Sequence, residues 1–307
     1  MDQAVRSDPT ILRLDHVSGG YVLDNKFFEK AHEISMEICR GGVYGLLGPT
    51  SSGKTTVLKL ITQKASLSSG RIEYSGRTSE YLGKSRRRIV YIPQDSPDSL
   101  DEFHTLEEQI AKVLQTWNIE YNRESIEEIA LSLGIGKDLL HSKPYAISQG
   151  QRHMISLIMA LSVKPDLMIM DEPFTALDVI QKAALSETIM SMAKQYGIAF
   201  LVSGTDPGII TYVSDFIYVI YCGQIVEYGP KIDMISAPKH PLSAMLLKYI
   251  PSYRNRGIEF NEFVHKCNRD KCTFIDHCAY STDKCRTKIK MIRLGENGVR
   301  CVRWENQ

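Results

Sequence analysis

The chain has 307 residues, 43% of them hydrophobic, enough to pack one large domain or two modest ones. Its 37 Lys and Arg against 36 Asp and Glu leave a formal charge of +1; composition gives no sign of a dominant partner such as duplex DNA or an anionic membrane, though it excludes neither. The longest apolar runs, 155–163 and 216–222, are far too short to cross a bilayer, and residues 1–10 lack the charged-then-apolar pattern of an export signal, so any membrane role is expected to be peripheral.

In chain order, residues 11–17 and 34–38 read as strands of a small antiparallel sheet beside the core. Residues 43–47 form a short apolar run ending in Gly48, then comes a glycine-containing turn and a helical pattern through Val57, Leu58 and Ile61: strand, loop, helix. Runs at 88–93, 166–171 and 198–203 are bounded by polar or proline punctuation and suit buried parallel strands. Between them, from about 95 to 161, apolar residues recur at helical spacing (Leu106, Ile110, Val113, Leu114; Ile126, Ile129, Leu133), which predicts an inserted helical subdomain. After Gly229 come a Pro238, His240, Pro241 break, an amphipathic helix over 245–250 and a cysteine-bearing tail. The expected architecture is an α/β domain over 1–251 and a small Cys-rich extension over 252–307.

Two short motifs carry chemistry. Gly48-Pro49-Thr50-Ser51-Ser52-Gly53-Lys54-Thr55 has two glycines flanking four residues, then lysine and a hydroxyl, in the strand–loop–helix setting that aims backbone N–H groups and a helix N-terminus at phosphates. Lys54 is expected on the β- and γ-phosphates, with Thr55 on Mg²⁺ and Thr56 beside it. The apolar run Leu167-Met168-Ile169-Met170 ends in Asp171-Glu172, where Asp171 is expected to hold Mg²⁺ and Glu172 to polarise the attacking water. Either motif alone says little; together they predict a nucleotidase site.

Ile147-Ser148-Gln149-Gly150-Gln151 resembles the signature of ABC ATPases, normally Leu-Ser-Gly-Gly-Gln. The resemblance implies a P-loop ABC ATPase core with an antiparallel β subdomain and an inserted helical subdomain, and contacts from Ser148, Gly150 and Gln151 to nucleotide. Gln94 matches the family's Q-loop, which implies a part in the Mg²⁺ shell and in catalysis; Ala176-Leu177-Asp178 matches its D-loop, and Tyr21 is placed like the aromatic residue that stacks on adenine. The likeness narrows to ATPases of oligopeptide, dipeptide and nickel uptake. Carrying it are Asp98-Ser99-Leu100 with Thr105-Leu106-Glu107-Glu108-Gln109-Ile110, His240-Pro241-Leu242-Ser243-Ala244-Met245-Leu246-Leu247 followed by Ile250-Pro251, and the tail cysteines. It implies an importer subunit on the cytoplasmic face of the membrane, a second ATPase subunit, two permease subunits and an extracytoplasmic binding protein, with no nucleic acid.

Five of the seven cysteines, Cys267, Cys272, Cys278, Cys285 and Cys301, lie in the tail. In a reducing compartment, clustered cysteines more often hold metal than form disulfides. Four thiolates suffice for an iron–sulfur cluster or a tetrahedral zinc, and spacing alone does not decide. The resemblance implies a [4Fe-4S] cluster on Cys272, Cys278, Cys285 and Cys301, with Cys267 a fifth candidate. Cys39 and Cys222 sit in apolar sequence and are expected as buried packing residues.

Two positions depart from the family pattern. Gln149 replaces the first signature glycine, and Thr205 stands where the switch histidine belongs. Threonine donates one hydrogen bond, is shorter and carries no charge. A site using Lys54, Glu172 and Thr205 is therefore expected to be impaired, while Ser148 and Gly150 complete a competent site on a partner. Other readings are that another residue supplies the histidine's contact and both sites turn over, that the chain is a nucleotide-binding regulatory subunit without turnover, and that it is a soluble ABC ATPase acting on nucleic acid through Arg254, Arg256, Lys288, Lys290 and Arg293.

Overall fold

The computed structural model describes residues 10–74, 77–78, 89–94, 100–175, 177–248 and 270–305. The chain opens with a long hairpin, β1 (Thr10–Leu23) and β2 (Lys26–Cys39), whose two-residue turn Asp24-Asn25 has φ of 49° and 57°. Asp and Asn tolerate that left-handed geometry, and the turn matches the twist of the strands it joins. β3 (Val43–Leu47) and α1 (Lys54–Ile61) follow, then β4 (Ser66–Tyr74) and β5 (Arg77–Thr78). The first sheet has the order β2-β1-β4-β5, all antiparallel. Its strands are longer than sequence reading gives, and β4 escapes it altogether, because residues 66–71 are exposed and mostly polar.

β6 (Ile89–Ile92) enters the second sheet. A helical layer comes next: α2 (Leu106–Thr116), α3 (Arg123–Ser132) and α4 (Gln149–Ser162), capped by Thr105, Asn122 and Ser148. Each capping oxygen satisfies an N–H that the helix itself leaves open. The chain returns through β7 (Leu167–Met170), α5 (Val179–Tyr196), β8 (Ala199–Gly204), α6 (Pro207–Val213), β9 (Phe216–Tyr221) and β10 (Gln224–Pro230). Strands β6, β7, β8, β3 and β9 run parallel in that order. Helices α4, α5 and α6 cover one face and α1 with the first sheet covers the other, which is why these strands read as continuous apolar runs.

After α7 (Lys231–Ser236) comes α8 (Pro241–Lys248). The expected break at Pro241 is in fact the helix start: proline suits the first helical position, where its missing N–H costs nothing. Glu227, 1% exposed, accepts from the N–H groups of Lys239 (2.6 Å) and His240 (2.7 Å) just before that helix.

The tail is expected as a separate extension, yet its hairpin, β11 (Ile292–Leu294) and β12 (Asn297–Val299), pairs antiparallel with β10 and supplies the edge of the core sheet. Phe274, 2% exposed, meets Tyr221 edge-on at 5.6 Å between centroids and lies 5.8 Å from the His240 ring. The Arg300 N–H donates to Val226 O (2.8 Å), and its buried guanidinium donates to Ile225 O and Ile289 O. Residues 250–251, Cys267, Arg254 and Arg256 lie outside the described residues, as do Asp98, Ser99 and Ala176.

His240 ties the tail's stability to pH. Burial pushes its pKa down to about 3 from an ordinary 6.5, and its Nδ1 accepts from the Leu242 N–H at 3.1 Å. The unfolded chain takes up this proton near pH 6.5, so the contribution is whole above that pH. It drains at about 1.4 kcal/mol per pH unit as pH falls toward 3. Glu227, whose pKa burial raises, acts in the opposite sense, since the folded chain binds its proton first. Denaturant midpoints between pH 7 and pH 4 are expected to fall more steeply in the wild type than in His240→Asn, which keeps an acceptor but cannot titrate; equal slopes would remove this role.

Candidate nucleotide site

β3 delivers the chain into the Gly48–Gly53 loop, and the Gly48 N–H donates to Gly204 O at the end of β8 (3.2 Å). Ser51 and Gly53 have φ of 61° and 104°. A Cβ on Gly53 would lie 3.1 Å from Gly223 Cα and 3.2 Å from Lys30 O, so both backbone angle and space demand glycine there. The Gly223 N–H donates to Ser52 O (2.7 Å), and the His32 N–H donates to Gly223 O (2.8 Å). The loop is thus pinned from behind by the Cys222-Gly223 turn and β2. The Ser52 hydroxyl is buried and has no hydrogen-bond partner among the described residues.

In front of the loop is a cleft of about 570 Å³, within the size range of small-molecule sites. Tyr21, Thr50, Ser51, Ser52, Gly53, Lys54, Thr55, Thr56, Gln94 and Glu172 all line it. Gly48 and Pro49 reach it through their carbonyls, which accept from Lys54 Nζ at 2.9 and 3.0 Å. A third contact joins Lys54 Nζ to Glu172 Oε1 at 3.2 Å, with the two side chains 4% and 16% exposed. Burial lowers the Lys54 pKa, and the Glu172 carboxylate opposes that. The ammonium's three protons are all engaged, two on carbonyls that anionic phosphate oxygens can outcompete.

Asp171 follows β7 and is 1% exposed. The Ser203 hydroxyl donates to its Oδ1 (2.7 Å) and accepts the Glu172 N–H (3.0 Å), while the Tyr91 hydroxyl reaches its Oδ2 at 3.3 Å. Glu172 has φ of 49°, a left-handed conformation unusual outside glycine, which turns its side chain toward Lys54. Ser203, Tyr91, Lys30 and His32 are the contributors that sequence reading misses. Their involvement depends on strand pairing, such as Met170 opposite Val202, which no local motif reports.

A second cleft of about 220 Å³ opens on the other side of Glu172, with Thr205 and Lys182 on its wall. Thr205 is exposed at the end of β8, and Asp206 beside it caps α6 by accepting from the Gly208 N–H (2.8 Å). Ser148, Gly150 and Gln151 line neither cleft. They start α4, where Ser148 and Gln151 cap each other's backbone (2.9 and 3.3 Å). Gly150 faces Gln181 of α5, itself in a reciprocal cap with Asp178.

The tail cysteines converge. Cys272, Cys278, Cys285 and Cys301 are all free thiols, Cys285 and Cys301 buried and the others half-buried. The Cys272 N–H donates to Cys285 O at 2.8 Å. Burial, then the charges of the three neighbouring thiols, push the Cys272 thiol up to about 11. Mutual destabilisation of thiolates is what a bound cationic centre would reverse. Among the described residues no three His, Cys, Asp or Glu side chains stand close enough for a single metal ion. Cys39 is half-buried and free. Cys222 is buried, as expected, and is disulfide-bonded.

Among the described residues no helix is long and apolar enough to cross a membrane. The ABC transporter profile matches residues 31–175, and the profile for the oligopeptide/dipeptide transporter C-terminal region matches 226–285. A Brucella abortus (strain 2308) protein named as a peptide import ATP-binding protein is 29% identical over 312 aligned residues, covering 95% of this chain and 93% of that one. The fold is similar to an ATP-binding subunit of an ABC transporter, at TM-score 0.65 and 24% identity over 73% of this chain and 91% of that one. It is similar also to a dimeric ATP-binding cassette in a post-hydrolysis state with ADP and Pi, at TM-score 0.63 and 18% identity over 72% and 99%. With the phosphate loop, the Asp171-Glu172 edge and the signature segment in place on this fold, the chain has the fold and the motif set of the ATP-hydrolysing ABC ATPases.

Proposed function

We propose that this chain drives an importer of oligopeptides or dipeptides, paired with a second, unlike ATPase subunit on two membrane permeases at the cytoplasmic face. The observation that carries this reading is the oligopeptide/dipeptide C-terminal region at 226–285 in the same chain as the phosphate cleft. The Brucella relative, similar over nearly the full length of both chains, supports it. An extracytoplasmic binding protein would deliver the substrate; nickel or another small solute is the neighbouring class.

In this reading ATP occupies the cleft, with Tyr21 against adenine and Lys54 with the 48–53 loop on the phosphates. Thr55, Gln94 and Asp171 would hold Mg²⁺, and Ser203 keeps Asp171 and Glu172 in register for it. An arriving γ-phosphate draws Lys54 away from Glu172, and the carboxylate so released can polarise water. Ser148, Gly150 and Gln151 would then seal the partner subunit's nucleotide, which agrees with their absence from this chain's own clefts.

Thr205 would leave this chain's own site weak. It lies across a cleft from Glu172 and offers a short neutral hydroxyl where a longer imidazole would reach the transition-state charge. A lost contact of that kind costs on the order of 10²-fold in rate. In the tail, Cys272, Cys278, Cys285 and Cys301 would hold a [4Fe-4S] cluster, which supplies a four-point cross-link to a segment with little apolar content. A zinc held by the same four thiolates is the alternative, and the donor set alone does not decide between them.

Thr205→His in the assembled transporter is expected to raise turnover by about tenfold or more; no gain under any substrate condition would count against an impaired site. Ser203→Ala strands a buried carboxylate oxygen and an N–H, and its denaturant midpoint should report a loss of about 1–3 kcal/mol, together with weaker Mg²⁺-dependent ATP binding. Anaerobically purified protein should contain iron and acid-labile sulfide in equal amounts and lose both in Cys285→Ser; stoichiometric zinc instead would replace the cluster assignment.

A further inference from the structure

Behind the nucleotide cleft, where the first sheet faces the tail, lies a separate cavity of about 460 Å³. One wall is apolar and aromatic: Ile225, Tyr228 and Met291. The rest is basic, with Lys288, Lys290, Arg293 and Arg300 against the single carboxylate of Glu33. Counting those five side chains, four positive and one negative, the cavity holds three uncompensated charges in a chain whose total is +1.

The charges differ in how they are held. Arg300 is 9% exposed, with its guanidinium fixed to the carbonyls of Ile225 and Ile289. Lys288 pairs with Glu33 at 2.7 Å and lowers that carboxyl's pKa through the hydrogen bond. Glu33 is therefore already committed as a counter-ion. Lys290 and Arg293 have no side-chain partner among the described residues, line the cavity and are exposed. Like charges gathered without a counter-ion repel one another, a standing cost that a bound anion removes.

The backbone opposite is shaped rather than incidental. His16 and Glu33 both adopt left-handed φ, 48° and 49°, where β1 and β2 shift register between Leu14 and Val17 and again before Gly19. Each irregularity is pinned by a serine: the His16 N–H donates to Ser35 Oγ (3.1 Å) and the Glu33 N–H to Ser18 Oγ (3.0 Å). Bulges re-aim side chains, and here both His16 and Glu33 line the cavity.

We propose that this cavity is a second binding site, distinct from the nucleotide cleft, for a small phosphorylated anion. Lys290 and Arg293 grip the phosphate oxygens, Arg300 sets the field from behind, and Tyr228 with Met291 and Ile225 takes the organic part. Guanidinium and ammonium groups are the usual phosphate ligands, and the volume matches a nucleotide-sized solute. The same chemistry is offered by a free phosphorylated metabolite and by a phospholipid headgroup; a concave site walled by β1, β2, β10 and the tail favours the free solute.

The test uses the full chain with its nucleotide cleft saturated by Mg²⁺ and a non-hydrolysable ATP analogue, titrated calorimetrically with inorganic pyrophosphate. One further binding event is expected, weakened at least about tenfold in Lys290→Ala/Arg293→Ala, with the affinity for the ATP analogue unchanged. Absence of that event up to on the order of 10 mM, or equal affinity in the double variant, overturns the site. Should the double variant fold poorly, Lys290→Gln alone must show the same loss at an unchanged denaturant midpoint. Vesicles containing phosphatidic acid are compared with pure phosphatidylcholine vesicles. Binding that pyrophosphate displaces assigns the site to headgroups, whereas vesicle binding that persists against saturating pyrophosphate marks a general basic surface and removes the proposal.

Discussion

The charge on Lys54 is 4% exposed and is met by Gly48 O, Pro49 O and Glu172 Oε1. A buried ammonium is tolerated only where each of its protons finds an acceptor, so the loop must curl back on the lysine. The strand before it must end close to β7, whose end bears Glu172, with only β8 between them. Those requirements set the neighbours of β3: β8 on one side, which receives the Gly48 N–H through Gly204 and carries Ser203, and β9 on the other, which leads to the Cys222-Gly223 turn. Nucleotide then enters as a better set of acceptors for a lysine already in place.

The same turn joins the phosphate loop to the tail. Gly223 holds Ser52 from behind, Tyr221 is the last residue of β9, and Phe274, between Cys272 and Cys278, packs on Tyr221. The path from the thiol cluster to the loop is short and consists of buried rings and backbone hydrogen bonds. With β12 paired to β10, the tail is the edge of the core sheet as well as a cysteine module. Burial of His240 and Glu227 at that junction makes its stability depend on proton uptake more than on surface ion pairs, which contribute little.

The two faces of Glu172 differ in what they offer. Toward Lys54 it has a buried cation, and toward Thr205 an open cleft with a neutral hydroxyl. The signature residues point to neither, because their local task is to cap α4. One chain thus presents an acceptor-rich nucleotide cleft and, elsewhere, a helix N-terminus with Ser148 and Gly150 at its start. That division suits assembly with a second ATPase subunit.

By itself the sequence determined the elements whose cause is local. The strand Val43–Leu47, the glycine-bearing loop, the apolar β7 ending in two carboxylates and the amphipathic α2 and α3 are each set by residue type at short spacing, and the cysteine pattern marks the tail in the same way. Tertiary structure decided what depends on distant partners. Ser203 and Tyr91 reach Asp171 only because β6, β7 and β8 lie side by side. Polar β4 becomes a strand through its pairing with β1. The tail joins the core through Arg300, Phe274 and a three-residue strand, contacts with no periodic trace in the chain. Hydrogen-bond pairing and burial across long sequence separations are properties of the folded neighbourhood, and the spacing of residues along the chain cannot encode which neighbour will arrive.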